Sequence, residues 1–208
     1  MSTADRKRTG RPSDIAKRDA IVTAAARCFF EAGFAACSIE QIAAEAAVSK
    51  VTIYNHFGDK RGLFVAAVEQ ECGRMRQHFS LFDIPKGSIR TRLTAIGEAM
   101  HAFLHRPEMI QFERRIAAET EHEPAIGEAF LAAGPHRMKE AFSAFLRHAS
   151  AAGELRIMDS DLAAEQFVSM CKGMGDLERR FGATVAEADN RRRIDGAVDV
   201  FLAAYGPQ

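Results

Sequence analysis

The chain has 208 residues, 47% of them hydrophobic, and its 28 Lys and Arg are balanced by 28 Asp and Glu. That length and apolar content suffice for a real core in one or two domains, and zero net charge argues against a generally basic nucleic-acid coat. No apolar run approaches the roughly 18 residues of a membrane span, and the opening Met1-Ser2-Thr3-Ala4-Asp5-Arg6-Lys7-Arg8 has no apolar signal segment. A cytoplasmic protein with no membrane partner is expected.

The charge is unevenly placed. Residues 1–18 hold six Lys or Arg against two Asp, a local excess of +4. Gly10-Arg11-Pro12 keeps this segment extended. Residues 1–12 are therefore read as a basic disordered arm, in which Arg6, Lys7, Arg8 and Arg11 are suited to phosphate contact or minor-groove entry. The bland alternative is a solubilising tail. Ser13 caps the first helix.

Ser38 to Phe57 carries the most information. Ser38 and Gln41 have the spacing of a capping box, and Ile39, Ile42, Ala43 and Ala46 follow as one apolar stripe. Ser49 caps a second short helix, in which Ile53 and Phe57 share a face and point into the joint. At about 100° per residue, Val51, Thr52 and Asn55 then lie outward. Tyr54 and His56 flank them, and Lys50 sits on the first turn. Such a face offers apolar and hydrogen-bonding groups for base edges, and hydroxyl, imidazole and ammonium groups for phosphate.

These residues carry a family resemblance. Arg18 to Phe64 resembles the DNA-binding domain of TetR-type transcriptional regulators, through Ala24-Ala25, Phe29-Phe30, Glu31-Ala32-Gly33-Phe34, Ser38-Ile39, Ile42-Ala43, Val48-Ser49-Lys50, Thr52-Ile53-Tyr54, His56-Phe57, Lys60 and Leu63-Phe64. Two positions depart from that family's pattern. Ala47 stands where Gly is common in the inter-helix turn, so a left-handed backbone there would be strained. Val51 stands where a small residue commonly opens the reading helix. Residues 13–58 are assigned to a helix-turn-helix DNA-binding domain whose interface candidates are Ser38, Ser49, Lys50, Val51, Thr52, Tyr54, Asn55 and His56. Lys60, placed on phosphate by resemblance and geometry, joins them.

The rest of the chain reads as helical, with no run of alternating β-branched residues. Asp59 can cap a helix from Lys60 to about Phe79, and Asp83-Ile84-Pro85-Lys86-Gly87 breaks the chain. Further helices are predicted at about 88–105, 107–121, 124–133, 135–151, 160–181 and 185–204, with Pro107, Pro124 and Pro135 at first turns or breaks. Thr184 and Glu187 suggest a capping box for the last helix. The expected fold is all-α: a three-helix DNA-binding domain, then a helical effector-binding and dimerisation domain over residues 59–208.

Two apolar sets bear on function. Met100, Phe103, Met109, Phe112, Phe130, Met138 and Phe142 form an aromatic- and Met-rich set that could line an adaptable cavity. The resemblance implies a small-molecule effector there, with Arg114 or Arg115 able to hold a ligand carboxylate; Arg115 is the candidate taken forward. Met170, Met174, Leu177 and Phe181 recur on one late helix, and Ile194, Val198 and Phe201 on the next. The resemblance implies that these two helices pair with a second copy in a homodimer, which suits a palindromic double-stranded operator.

Other chemistries have less support. Glu98, His101 and His105 share a helix face, and the two histidines have the spacing of a metal clip, but no fourth ligand is identifiable, so no metal or cofactor is expected. Cys28, Cys37, Cys72 and Cys171 contain no CxxC pair, which indicates neither a disulfide framework nor a zinc site. Redox sensing through Cys37 or Cys72 has no visible low-pKa environment behind it. No nucleophile elbow, phosphate loop, dinucleotide fingerprint or HExxH motif occurs, so an enzyme is not expected. The reading is a ligand-released repressor; the alternative is a protein-interaction or metal-sensing module of the same fold.

Overall fold

The computed structural model of the protein describes residues 14–78 and 87–207, and every regular element among them is an α-helix. In chain order these are α1 (Asp14–Ala32), α2 (Ile39–Glu45), α3 (Lys50–Phe57), α4 (Lys60–His78), α5 (Ile89–Leu104), α6 (Pro107–Thr120), α7 (Pro124–Ala133), α8 (Pro135–Ala151), α9 (Ser160–Arg180) and α10 (Glu187–Tyr205). The basic residues Arg6, Lys7, Arg8 and Arg11 lie outside the described residues.

Local chemistry explains most of the boundaries. Ser38 Oγ accepts from the Gln41 N–H at 3.2 Å, while Gln41 Oε1 accepts from the Ser38 N–H at 2.9 Å. This reciprocal box satisfies two amides that the start of α2 leaves unpaired. Ser49 Oγ accepts from the Thr52 N–H at 3.1 Å and so starts α3. Pro107, Pro124 and Pro135 all sit in first turns, where a missing N–H has no intrahelical partner to lose. The capping box expected from Thr184 to Glu187 does not form. Instead α10 begins after Ala186, which makes no side-chain cap bond.

The first four helices do not enclose a core of their own. Ile21, Ala25 and Phe29 of α1, Ile42 of α2, Ile53 of α3 and Phe64 of α4 share one buried cluster with Phe112 and Ile116 of α6 and Ile126 of α7. The hydrophobic interior therefore runs across residues 58 and 59 without a break. A second cluster joins Leu93 of α5, Leu146 of α8, Phe167 of α9 and Val198 and Phe201 of α10. Gly97 lets α5 meet α10 closely, since a Cβ there would lie 2.8 Å from Ile194 Cγ2. In α9 the helical path breaks at Gly173, whose φ of 48° and ψ of −158° only glycine adopts readily.

Two sequence expectations are corrected by this packing. Ile194, Val198 and Phe201 are buried within the chain, because the apolar stripe of α10 faces α5 and α9; these three cannot supply an interface with a second copy. Cys28 and Cys37 form a disulfide with a Cα–Cα separation of 5.9 Å, inside the range that a bridge requires. Past Ala32, Gly33 has a φ of 93°, and the chain doubles back so that Cys37 lies beside the last turns of α1. Cys171 remains a free, buried thiol, pushed up to about 12 by burial.

Candidate nucleic-acid interface and effector cavity

The reading helix α3 presents an outer face over a fixed inner one. Ile53 is fully buried, and Phe57 is half-buried beneath the Arg18 guanidinium, 5.3 Å from the ring centroid. On the opposite side Val51 is 65% exposed and Tyr54 47%, with Asn55 exposed beside them. The Thr52 hydroxyl lies 2.9 Å from Ser49 Oγ. Lys50 Nζ donates to Glu40 Oε1 at 2.8 Å, and this bond raises its pKa above the usual lysine value. Such an exposed pair is worth little in water. His56 turns inward, with Nε2 3.4 Å from Asp14 Oδ1 and its side chain mostly covered, so it ties α3 to α1.

Lys60 is engaged inside the protein. Its Nζ donates to the Ala35 carbonyl at 3.3 Å and lies 4.5 Å from the Phe34 ring centroid, and burial lowers its pKa. It fastens the start of α4 to the loop between α1 and α2. From the other side, α6 holds the same loop. Glu119 Oε2 accepts from the Ala35 N–H at 3.2 Å, and Arg115 donates to the Phe30 carbonyl at 2.9 Å and to the Glu31 carbonyl. A cation on the last carbonyls of a helix also complements its dipole. Arg115 is thus a clamp on the end of α1 and does not line the cavity, which corrects its expected ligand role. Arg114 donates to the Arg179 carbonyl.

A cavity of about 600 Å³ lies among α1, α4, α5, α6, α7, α8 and α9, within the size range of small-molecule sites. Met100, Phe103, Met109, Phe112, Phe130, Met138 and Phe142 all line it. Phe30 lines it as well and stacks on Phe112 with centroids 4.0 Å apart and planes 12° from parallel. One ring of α1 is therefore in the cavity wall. The polar lining was missed from sequence. Glu113 and Lys172 reach the cavity, with Arg180 Nη2 3.1 Å from Glu113 Oε2 and Asp176 Oδ2 3.4 Å from Lys172 Nζ. Burial pushes the Glu113 carboxyl above the usual carboxylate range, opposed by Arg180 and Lys172. Ordinary charges dot every helix here, and only the packing of α6 on α9 singles these two out.

Beside the cavity, the histidine pair sits in a cationic setting. The His101 and His105 rings are 3.9 Å apart, and Arg179 Nη2 lies 3.2 Å from His101 Nε2. Burial, then His101 and Arg179, hold His105 down at about 4. Glu98 is exposed, and among the described residues no group of three or more His, Cys, Asp or Glu could hold a metal ion. On the far side of α9, Met174 is 63% and Phe181 85% exposed, with Leu162, Leu177 and, on α10, Val200 also open. Among the described residues no helix is long and apolar enough to cross a membrane.

Comparison with known proteins bears on both halves. Residues 21–67 match the model for bacterial regulatory proteins of the tetR family, and residues 91–207 match the AefR-like transcriptional repressor C-terminal domain. Over 78 residues the chain is 30% identical to the HTH-type transcriptional repressor AcnR of Corynebacterium efficiens, covering 36% of this chain. The matched part spans 42% of that relative's length. Among solved structures, a protein assigned to the TetR-family transcriptional regulators from Mesorhizobium loti MAFF303099 superposes with a TM-score of 0.78 at 27% identity, covering 94% of this chain and 100% of that one. The flavonoid-responsive regulator FrrA superposes with a TM-score of 0.72 at 31% identity, covering 92% and 98%.

Proposed function

Since this chain belongs to the tetR family of bacterial regulatory proteins, we propose that it is a cytoplasmic, homodimeric repressor that binds a palindromic operator and is released by a small, largely apolar effector. The observation that carries the reading is the pairing of an exposed α3 face with a largely apolar cavity that has Phe30 of α1 in its wall.

In this mechanism α3 enters the major groove. Val51, Thr52 and Asn55 meet base edges, while Tyr54 and Lys50 take phosphates, Lys50 exchanging Glu40 for the backbone. The exposed apolar side chains of Met174 and Leu177 on α9 after the Gly173 kink, with Phe181 at its C-cap and Leu162 near its start, pair with a second copy and set the spacing of two readers on successive half-sites. The effector occupies the aromatic cavity; FrrA, named for its response to flavonoids, supports an aromatic ligand. Filling the space beside Phe30 and Phe112 displaces the α6 clamp on the loop of Ala35. That movement shifts α1 and α4 together and changes the separation of the readers.

The test is operator binding by the full chain, followed by fluorescence anisotropy on DNA from upstream of its own gene and on a shuffled duplex, with sedimentation run in parallel. A dimer that prefers the operator is expected. Asn55→Ala should alter preference at one base pair by about 1–3 kcal/mol, whereas Tyr54→Ala should weaken binding about equally on all sequences. A monomer without operator preference at moderate salt overturns the reading.

A further inference from the structure

The polar corner of the cavity constrains what the effector carries. Most of its charged lining is already matched: Lys139 and Glu165 pair at 2.7 Å, and Arg106 approaches Glu71 at 3.7 Å. Glu113 and Lys172 differ in having their partners, Arg180 and Asp176, on the α9 segment that follows the Gly173 kink, while they themselves reach the cavity. Arg180 lies on Oε2 of Glu113, which leaves Oε1 able to accept from a ligand. The ammonium of Lys172 has three donors, of which Asp176 uses one.

Around this corner the walls are flat and aromatic. Phe112 and Phe130 meet edge to face at 5.7 Å, and Phe142 stacks on Phe145 at 6.0 Å with planes 12° apart. Ring faces and edges so disposed take a further ring in stacked or T-shaped contact. The acceptor and donor at the corner then sort the substituents. A cation would face Lys172 and Arg180, an anion would face Glu113 and Asp176, and an ether or ketone, once it covers the corner, would leave the Glu113 acceptor without a donor. A hydroxyl both donates and accepts.

Resting on the repressor reading above, we propose that the effector is a planar hydroxyarene whose phenolic hydroxyl donates to Glu113 and accepts from Lys172, with its ring held between the Phe112 and Phe142 walls. Burial that pushes Glu113 above the usual carboxylate range is in keeping with a corner that favours a neutral partner.

The test is calorimetric titration of the full-length protein with four matched probes: para-hydroxybiphenyl, para-methoxybiphenyl, biphenyl para-carboxylate and para-aminomethylbiphenyl. The hydroxy compound should bind at least about ten-fold more tightly than its methyl ether. In Glu113→Leu and Lys172→Met that ratio should shrink to about two-fold or less, with ether affinity within about two-fold of the parent protein. Retained ether binding shows that the cavity is intact, and Glu113→Met, with the same expected loss of the ratio, serves as a second acceptor-free variant if Glu113→Leu does not fold. Tighter binding of the carboxylate or the ammonium compound overturns the inference, as does a hydroxyl preference that survives both substitutions, or no binding of any probe by a protein that still prefers its operator. Loss of operator preference in the parent protein overturns the repressor reading instead, whatever the probes do.

Discussion

Ala47 shows how much one backbone angle can be read in advance. The turn between α2 and α3 needs a left-handed residue, and the sequence supplies an alanine; its φ is 53°. A Cβ in that region costs about 1–2 kcal/mol, partly offset because glycine loses more freedom on folding. Ala47→Gly should therefore raise the unfolding free energy by roughly 0.5–1 kcal/mol in urea titration. A lower midpoint would show that the turn carries no strain. His105 makes the opposite point, since nothing in its sequence neighbourhood announced its environment. Its side chain is 9% exposed, neither ring nitrogen makes a hydrogen bond, and burial, with His101, Arg179 and Lys172, outweighs Asp176 3.9 Å from Nε2. Its pKa falls from 6.5 to about 4, so the folded state favours the neutral ring. That stabilisation is complete above pH 6.5 and is lost as pH falls toward 4, by at most about 3 kcal/mol. His105→Leu should flatten the stability profile between those limits, and an unchanged slope would assign the acid sensitivity elsewhere.

Helices were the legible part of the chain because their signals are local. Prolines at three first turns, serine caps and 3.6-residue apolar stripes set nearly every boundary in advance. The last helix starts two residues later than its spacing predicts, because a capping box is only a spacing until a side chain turns to use it. Joints between helices were much less legible. Arg115 resembled a ligand anchor, yet α6 packs so that its guanidinium reaches the Phe30 and Glu31 carbonyls at the end of α1. Arg115→Ala should lower stability by about 0.5–1.5 kcal/mol, the usual net worth of a hydrogen bond at a partly exposed carbonyl. It should also reduce the factor by which an effector weakens operator binding, read by anisotropy with and without ligand. Full coupling in that variant would place the signal in α4 instead. The Cys28–Cys37 bridge was hidden for a similar reason: a nine-residue separation says nothing until Gly33 reverses the chain.

The whole molecule turns on where its two apolar faces look. Periodicity marks both α9 and α10 as apolar, but in the fold α10 buries its stripe against α5, while α9 and its C-cap leave Met174 and Phe181 open. If that open face holds two copies together, Phe181→Glu places a charge in a desolvated seam and should convert the protein to a monomer at micromolar concentration in sedimentation, with loss of tight operator binding. A Phe181→Glu dimer of parental affinity would move the interface away from α9. By itself, the sequence determined the all-α class, the order of the helices, and the helix-turn-helix with its inward Ile53 and outward Val51 and Asn55. Each of these follows from composition or from spacing within a turn or two of helix. Only the tertiary structure decided that Arg115 and Lys60 brace the α1 to α2 loop, that His56 turns toward Asp14, that Glu113 and Lys172 share a corner of the cavity, and that α10 faces inward. Those contacts join residues far apart in the chain, and which side of a helix meets a neighbour is fixed by the packing of all the helices together.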